Sequence, residues 1–559
     1  MIMKSLNFNK IILYINTIKY LKCNQIFFQI YYRIKRIFIS CFPLFYLKTI
    51  TPKKYTLPRP LHLIGNGITS SKYHLEDIIN NKFVFLNIEK FFLNSIDWHR
   101  EDLNEGTRLW KLNLHYHEYL VELALEFDKT KDVRYLSYIT NNIEDWIIKN
   151  PLGTNKFHLD NWNSYAISNR IISWVKVYSL IEKEINDSFK KKMITSFLQQ
   201  ASYLSKNIEY NIRGNHIIEN GFATLFAAYF LDNNYLYGKS KDILIKELNE
   251  QICDDGGHFE LSPMYHQHIL NRMLDCYNMM KFNEFFDDDN FKRFIKKKLK
   301  SLLGWLKNIT FSNGDIPLFN DCANNVYPNS SELFKYAKSL GLKADNLKLS
   351  DSGYRRVNFE KYESIIDIGK LGPDYIPGHA HNDALSFVIN INYNPFIIDT
   401  GTSIYNNSKR RMLEKSTCSH NTVKVGEFEQ SQIWSSFRMG NRIYPHIIKD
   451  DNCNIIASIS YPQKKIHTRE FDFQKNKIQI IDTINSNIDC TAYLHFHPAI
   501  TIILKDNIIQ TNLGTISIKN ANSVVIEDFK YAPEFNVLKR SKKAIINFEK
   551  KLHLIIDVK

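Results

Sequence analysis

The sequence of 559 residues predicts a multidomain α and β protein, a helical domain followed by a large antiparallel β-sandwich. Two observations carry that expectation. Between about residues 77 and 345, apolar residues recur at helical spacing. After about residue 350 the pattern changes to many short alternating segments, rich in β-branched and aromatic residues and separated by Asn, Asp and Gly turns. At roughly 100–200 residues per domain, the length accommodates both units and an N-terminal segment.

Taken in order, residues 1–75 form a basic, aromatic N-terminal segment and linker, 76–350 the helical domain, and 351–559 the β domain. The segment 108–127 places Leu109, Leu112, Tyr116, Leu120, Leu123 and Phe127 on one stripe. Segments 163–181, 193–208, 220–231, 241–252, 266–280 and 294–309 behave alike, with short polar connectors between several of them, so they should pack as helical hairpins. No fixed period is visible, which argues against a regular solenoid. Strands are expected at 384–398, 421–425, 442–448, 454–460, 469–473, 478–484, 491–497, 500–504, 508–518, 523–529 and 544–548.

Charge narrows the function classes. The net charge is +15, but residues 1–75 hold nine Lys and three Arg and no acid, giving 12 − 0 = +12. The remaining 484 residues carry (73 − 12) − 58 = +3. A nearly neutral body does not suggest a nucleic-acid footprint. Eight cysteines are scattered without a CxxC pair, so they read as buried thiols and not as a disulfide scaffold or zinc ribbon. The apolar run after Lys10 is short and lacks a small-residue cleavage site, so it does not read as a cleavable signal. The stretch 37–47 is too short to span a bilayer. An acid-free aromatic segment over residues 1–60 suits either a membrane surface or a helix packed on the body. Pro43, Pro52, Pro58 and Pro60 should then break the chain into an extended linker.

Four polar clusters interrupt the periodic patterns. RGNHIIENG (213–221) sits between two helices; His216 and Glu219 share a helix face, and Asn215 also suits a helix N-cap. DGGHFELSPMYH (255–266) has a Gly-Gly turn and a Ser-Pro helix start, which puts Tyr265 and His266 in a first turn where positive potential favours a tyrosinate. GHAHNDALSF (378–387) holds His379 and His381, two residues apart on one side of an extended segment. Asp399 follows an apolar strand and His420 precedes one, so His381, Asp399 and His420 make a plausible zinc ligand set or, equally, satisfied polar residues.

The combination resembles the heparinase II/III family of polysaccharide lyases. The matching pieces are NWNSYAISNR (161–170), the first three clusters above, IIDTGTSIY (397–405) and STCSHNTVKV (416–425), in the family's order. The resemblance implies an incomplete (α/α) toroid followed by an antiparallel β-sandwich. It implies that Asn215 and His216 neutralise a uronate carboxylate with Glu219 beside them, that Tyr265 is the catalytic tyrosine, and that His379 is its partner across the cleft. It implies a structural Zn2+ on His381, Asp399 and His420. Asn161, Trp162, Arg170, His266 and Trp434 are further candidates for substrate contact, with packing as the other reading.

The chemistry explains the residue types. A 4-linked uronate is cleaved without water by β-elimination. Hydrogen bonds or positive charge on its carboxylate spread the enolate charge that develops when C5 loses a proton. A base near C5 and an acid near O4 complete the step, and Tyr and His serve both roles. The expected partner is an acidic polysaccharide and not a nucleic acid. Two alternatives stay open: a uronate C5-epimerase on the same scaffold, and a non-catalytic glycan-binding or assembly protein. The family resemblance implies the cell envelope or periplasm. The N-terminal segment instead fits a protein beside the cytoplasmic membrane, acting on the cell's own surface polysaccharide.

Overall fold

A computed structural model gives the structure of the chain and describes residues 8–51, 58–63, 73–100, 102, 108–153 and 157–559. Helices α1 (Phe8–Ile18), α2 (Cys23–Cys41) and α3 (Pro43–Ile50) open it. Pro43, expected in an extended linker, instead starts α3, where its fixed φ and missing N–H are tolerated. Pro58 and Pro60 lie in a stretch without regular structure, and Pro52 falls outside the described residues.

The helical domain follows. Helix α4 (Leu75–Ile79) precedes a hairpin of β1 (Lys82–Phe85) and β2 (Ile88–Phe91), which the sequence pattern had not suggested. The helices are then α5 (Arg108–Tyr116), α6 (Tyr119–Thr130), α7 (Val133–Lys149), α8 (Ser164–Ile181), α9 (Asp187–Lys206), α10 (Asn215–Leu231), α11 (Asn234–Gln251), α12 (Pro263–Phe282), α13 (Asp289–Ile309) and α14 (Ser330–Ser339). Asp132, Asn163, Asn186, Asn233, Ser262, Asp288 and Asn329 each cap the helix that follows with a side-chain oxygen. The single helix expected at 108–127 is two. His117 sits in the left-handed region at φ 56°, and its Nδ1 accepts from the Trp174 indole at 2.9 Å, which fixes the break between α5 and α6. Trp110, Trp146, Trp174 and Trp305 are fully buried in one continuous core.

The last helix of the helical domain ends at Ser339 and the β domain begins with β3 (Tyr354–Asn358), on either side of the expected boundary. Strands β3, β4 (Tyr362–Asp367), β5 (Phe387–Ile391) and β6 (Asn394–Ile397) form one antiparallel sheet in that order. The strand expected at 384–398 is in fact the β5–β6 hairpin. Asn392 and Tyr393 both take positive φ, the tight turn that suits twisted strands.

After helix α15 (Lys409–Glu414) come β7 (Val423–Val425), β8 (Ile433–Ser435), β9 (Arg438–Met439), β10 (His446–Asp451), β11 (Asn454–Tyr461), β12 (Lys465–Gln474) and β13 (Lys477–Ile484). The chain ends with β14 (Cys490–His495), β15 (Ile502–Lys505), β16 (Ile508–Thr511), β17 (Gly514–Lys519), β18 (Ser523–Glu534), β19 (Val537–Phe548) and β20 (Lys551–Val558). An eight-stranded sheet runs β10-β11-β12-β13-β20-β17-β16-β15, and a four-stranded sheet runs β18-β19-β14-β7. The segment 508–518, read as one strand, is two, β16 and β17. The two four-stranded sheets meet where Ile398 N–H donates to the His495 carbonyl at 2.9 Å. The alternation that predicted strands also makes the sandwich: Ile480, Ile516 and Leu554 of the large sheet share a core with Phe387, Ile389, Val423, Leu494 and Ile546 of the other layer.

The domains are tied at two places that matter for the site. Asp255, in the Gly-Gly loop, accepts from Ser350 N, Ser352 N and Ser352 Oγ at 2.9, 3.0 and 2.6 Å. Met264 and Tyr265 at the start of α12 share a small apolar cluster with Leu318, Tyr531 and Phe535.

Candidate active site

A cleft of about 1180 Å³ lies between the domains. The loop before α10 and the start of α12 bring Asn215, His216 and Tyr265 to its helical wall, and the loop before β5 brings His379 to the other domain's side.

Asn215 is the first residue of α10. Gly214 precedes it at φ 57°, and a Cβ there would stand 2.2 Å from Glu260 Oε1, so glycine is required. The expected N-cap role passes from Asn215 to a distant carboxylate. Glu260 accepts from the Asn215 backbone N–H and from its Nδ2, both at 2.8 Å, where an anion complements the helix terminus. The same Nδ2 faces His379 Nε2 at 3.4 Å. Next along α10, His216 donates from Nδ1 to Glu209 Oε1 at 3.1 Å. Burial disfavours its charge, but Glu209 outweighs burial and raises the imidazole above its usual pKa. Asn220 in turn holds Glu209, through Nδ2 to Oε2 at 3.1 Å.

Tyr265 is in the first turn of α12, but the first-turn potential does not make it a tyrosinate. Burial, with Tyr405 and Tyr327 nearby, pushes its phenol well above the usual value, so it stays protonated at neutral pH. Its hydroxyl is 3.1 Å from that of Tyr405. His379 meets it from the β-domain side: the two ring centroids are 4.2 Å apart and the planes are tilted by 36°. His379 Nδ1 donates to Asp321 Oδ2 at 2.8 Å, which leaves Nε2 as the acceptor nitrogen.

Asp321 is the hub that sequence reasoning missed. It is fully buried and also receives Arg411 through both terminal nitrogens and His381 Nε2 at 2.8 Å. Its backbone is held by the His379 carbonyl (Asp321 N–H at 3.0 Å) and by Ser262 Oγ, which donates to its own carbonyl at 2.7 Å. Burial raises its pKa, but Arg411, Lys415 and the two imidazoles prevail and keep it ionised. The only sequence signal was an acid inside the apolar run PLFNDCA (317–323), without periodicity to place it. Tyr405 and Arg272 on the cleft wall were missed for the same reason.

Other candidates are displaced from the cleft. Glu219 is fully buried beneath it; it accepts from Arg272 Nε at 2.9 Å and lies 3.3 Å from His268 Nε2, so it positions Arg272 instead of touching a ligand. His266 packs on Trp305 with Nε2 on the Leu302 carbonyl, and burial lowers it to about 3. Arg170 is sealed between Gln200 and the carbonyls of His115 and Asn161. Asn161 and Trp162, in the loop before α8, are buried, with the Trp162 indole on the Asn150 carbonyl. These four are packing residues. Trp434 reaches the N-terminal helices instead, donating to Thr17 Oγ1 at 3.1 Å with its ring against Tyr14.

The expected metal set is brought together. His420 Nδ1 contacts Asp399 Oδ2 at 2.7 Å, and the His381 and His420 rings are 5.3 Å apart. His381 Nδ1 and His420 Nε2 are both buried without a hydrogen-bond partner among the described residues. Two spare imidazole nitrogens and a carboxylate are the donor chemistry of zinc, so the residues fit in kind. Among the described residues no three such side chains already stand in a metal-binding arrangement.

Residues 44–341 match the family described as heparinase II/III N-terminus, and residues 342–557 match heparinase II/III-like, C-terminal. A heparin-sulfate lyase of Bacteroides stercoris is 24% identical over 451 residues, covering 72% of this chain and 65% of that protein. A heparin-sulfate lyase of Pedobacter heparinus is 26% identical over 367 residues, 59% of this chain and 54% of its own length. The chain thus spans less than two thirds of these relatives. The crystal structure of heparinase III superposes with a TM-score of 0.69 at 16% identity, covering 92% of this chain and 88% of that one. That likeness shows the fold, an (α/α) toroid with an antiparallel β domain. The chain belongs to the heparinase II/III family.

Proposed function

We propose that this family member is a polysaccharide lyase that cleaves a uronate glycan by β-elimination, with His379 as base and Tyr265 as acid. One observation carries the reading: the Tyr265 and His379 rings meet in the cleft with centroids 4.2 Å apart, and the Asn215 amide lies beside them. Asn215 Nδ2 and His216, whose charged form Glu209 favours, receive the uronate carboxylate and hold the charge that spreads onto it. His379 Nε2 takes the C5 proton. The C5–H electrons form the C4–C5 double bond, and the C4–O4 pair leaves with O4. Tyr265, held protonated, donates its proton to O4; after the product leaves, His379 releases the C5 proton to water and Tyr265 takes one back from water. When bound, zinc would be held by His381, Asp399 and His420 and would supply a cross-link among three β-domain segments beneath His379.

Base and acid on one side favour a syn elimination, in which C5–H and C4–O lie on the same face of the sugar, as in glucuronate. The relatives' printed name points to a heparan-type glycan, and the cleft's charge refines this toward little sulfation. It is lined by Lys82, Arg108, Lys176, Arg272, Arg438 and Arg442 against five carboxylates. Five of those cations already face a carboxylate: Lys82 on Asp77 and Glu89, Arg108 on Asp160, Lys176 on Asp275, Arg272 on Glu219 and Arg442 on Asp374. A densely sulfated chain needs more free cations than this. The basic N-terminal helices favour work in the cell envelope on the cell's own surface polysaccharide.

The test is ultraviolet absorbance of an unsaturated uronate across unsulfated glucuronate polymers, an iduronate-rich polymer and heparin. A signal on the unsulfated glucuronate polymers that Tyr265→Phe abolishes supports the reading. No double bond, together with solvent deuterium at C5, would replace the lyase by an epimerase.

A further inference from the structure

The N-terminal helices are built inside out. On α2, Gln25, Tyr32 and Ile39 face the body, 2%, 6% and 0% exposed. Gln25 Nε2 donates to the carbonyls of Ile212 and Tyr375, Gln29 Nε2 to that of Asn211, and Tyr32 Oη to that of Ile208 at 2.6 Å. The opposite face is apolar and in water: Phe27, Ile30, Ile34 and Ile37 are 62%, 56%, 64% and 66% exposed, at helical spacing. Leu44 and Phe45 of α3 extend the face. Of thirty-three exposed large apolar side chains among the described residues, fifteen lie within the 43 residues 8–50. Water-soluble surfaces rarely gather apolar groups this densely, and a helix packed on a protein core turns that face inward.

Charge says what covers it. Residues 8–50 carry seven cations and no acid, with Lys19, Arg33 and Lys48 exposed among the apolar groups. An apolar face fringed only by cations complements an anionic lipid surface, where rings and aliphatic chains enter the headgroup boundary and Lys and Arg meet phosphate. No described helix is long and apolar enough to cross a membrane, so the helices lie in the plane.

We propose that α1–α3 are an in-plane dock for an anionic phospholipid bilayer and set the cleft beside it. The inner sides of α1, α2 and the turn between them supply Thr17, Leu21, Gln25 and Gln29 to the cleft wall. The helices are pinned to both domains, Lys22 to Glu250 in the toroid and Thr17 to Trp434 in the β domain. Docking therefore orients the whole molecule and holds the cleft one helix diameter, roughly 10 Å, from the lipid headgroups. The proposal does not depend on the lyase reading.

The test is flotation of the purified full chain with vesicles of phosphatidylglycerol and phosphatidylcholine, or of phosphatidylcholine alone. The chain should float with the anionic vesicles, and added salt should weaken this. Phe27→Glu, Ile30→Glu and Ile34→Glu together should cut the bound fraction at least tenfold with an unchanged thermal transition, because all three side chains are in water. Arg33→Glu with Lys48→Glu should weaken only the anionic case. Wild-type protein that stays in the aqueous fraction, or a triple variant that floats equally well, overturns the proposal. So does a wild-type dimer that the triple variant dissociates without any flotation, since the face would then bind a second copy of the chain.

Discussion

Two buried Asp–Arg–His clusters use the same parts to different ends. At the cleft, Asp321 holds Arg411, His379 and His381. Inside the sandwich, Asp482 holds Arg469 through Nε at 2.7 Å and Nη2 at 3.0 Å, and His467 Nε2 at 2.6 Å. Both carboxylates are held ionised against burial by arginine, Asp482 down to about 2. The difference is access. His467 is fully buried, and burial lowers its pKa so that it stays neutral. Arg469 spends its remaining nitrogen on the carbonyls of Leu385 and Asn421, binding loop to sheet. His379 keeps one ring edge on the cleft beside Tyr265. Residue types alone therefore do not make a site; one imidazole nitrogen left facing a cavity does.

The largest expected effect breaks the comparison at the exposed ring. His379→Ala or Tyr265→Phe should lower turnover by about 10²–10⁴-fold with the fold intact, whereas His467→Gln should leave turnover of the folded fraction unchanged. Steady-state rates beside thermal melts measure both. Next, Asp482→Ala strands Arg469 in the sandwich and should cost about 3–5 kcal/mol of stability, read from chemical denaturation, with little change in rate per folded molecule. Asp321→Asn keeps the shape of the hub but loosens the hold on His379; turnover should fall about 10–100-fold, more than binding does.

Acid titration is subtler. Asp482 has a folded pKa of about 2, below its unfolded value, so its stabilisation is present above about pH 4 and lost as pH falls toward 2. That is roughly 2 kcal/mol, which Asp482→Asn should remove from the pH dependence of unfolding. The smallest effect concerns His216. Glu209 raises its pKa, so carboxylate binding should be full at low pH and weaken as pH rises through that value. Glu209→Gln should move this limb of the KM profile to lower pH, and an unmoved limb would remove His216 from substrate binding.

Much of this was legible in the chain because it is local. Helical and alternating periods mark the two domains, since each element buries one face wherever it packs. Asn215, Tyr265, His379, His381, Asp399 and His420 interrupt those periods, and the structure brings the first three to the cleft and the last three into one buried cluster. Periodicity does not say which side of a polar helix meets the cavity. Glu219 and His266 share the motifs of Asn215 and Tyr265, yet they point into the core because α10 and α12 are enclosed on nearly every face. Arg170 stands on α8, which is enclosed in the same way, and it closes a set of buried carbonyls instead of a ligand.

The amino-acid sequence by itself determined where helix gives way to sheet, which segments carry reactive side chains, and that the positive charge is concentrated before residue 76. Only the tertiary structure decided that Asp321 would hold His379, that Tyr265 and His379 would meet in the cleft, and that α2 would turn Gln25 and Gln29 toward the body and Phe27, Ile30, Ile34 and Ile37 out. The reason is range. Secondary structure follows from neighbours three or four residues apart, whereas a site requires residues 215, 265, 321 and 379 to converge. That convergence is set by the packing of whole domains.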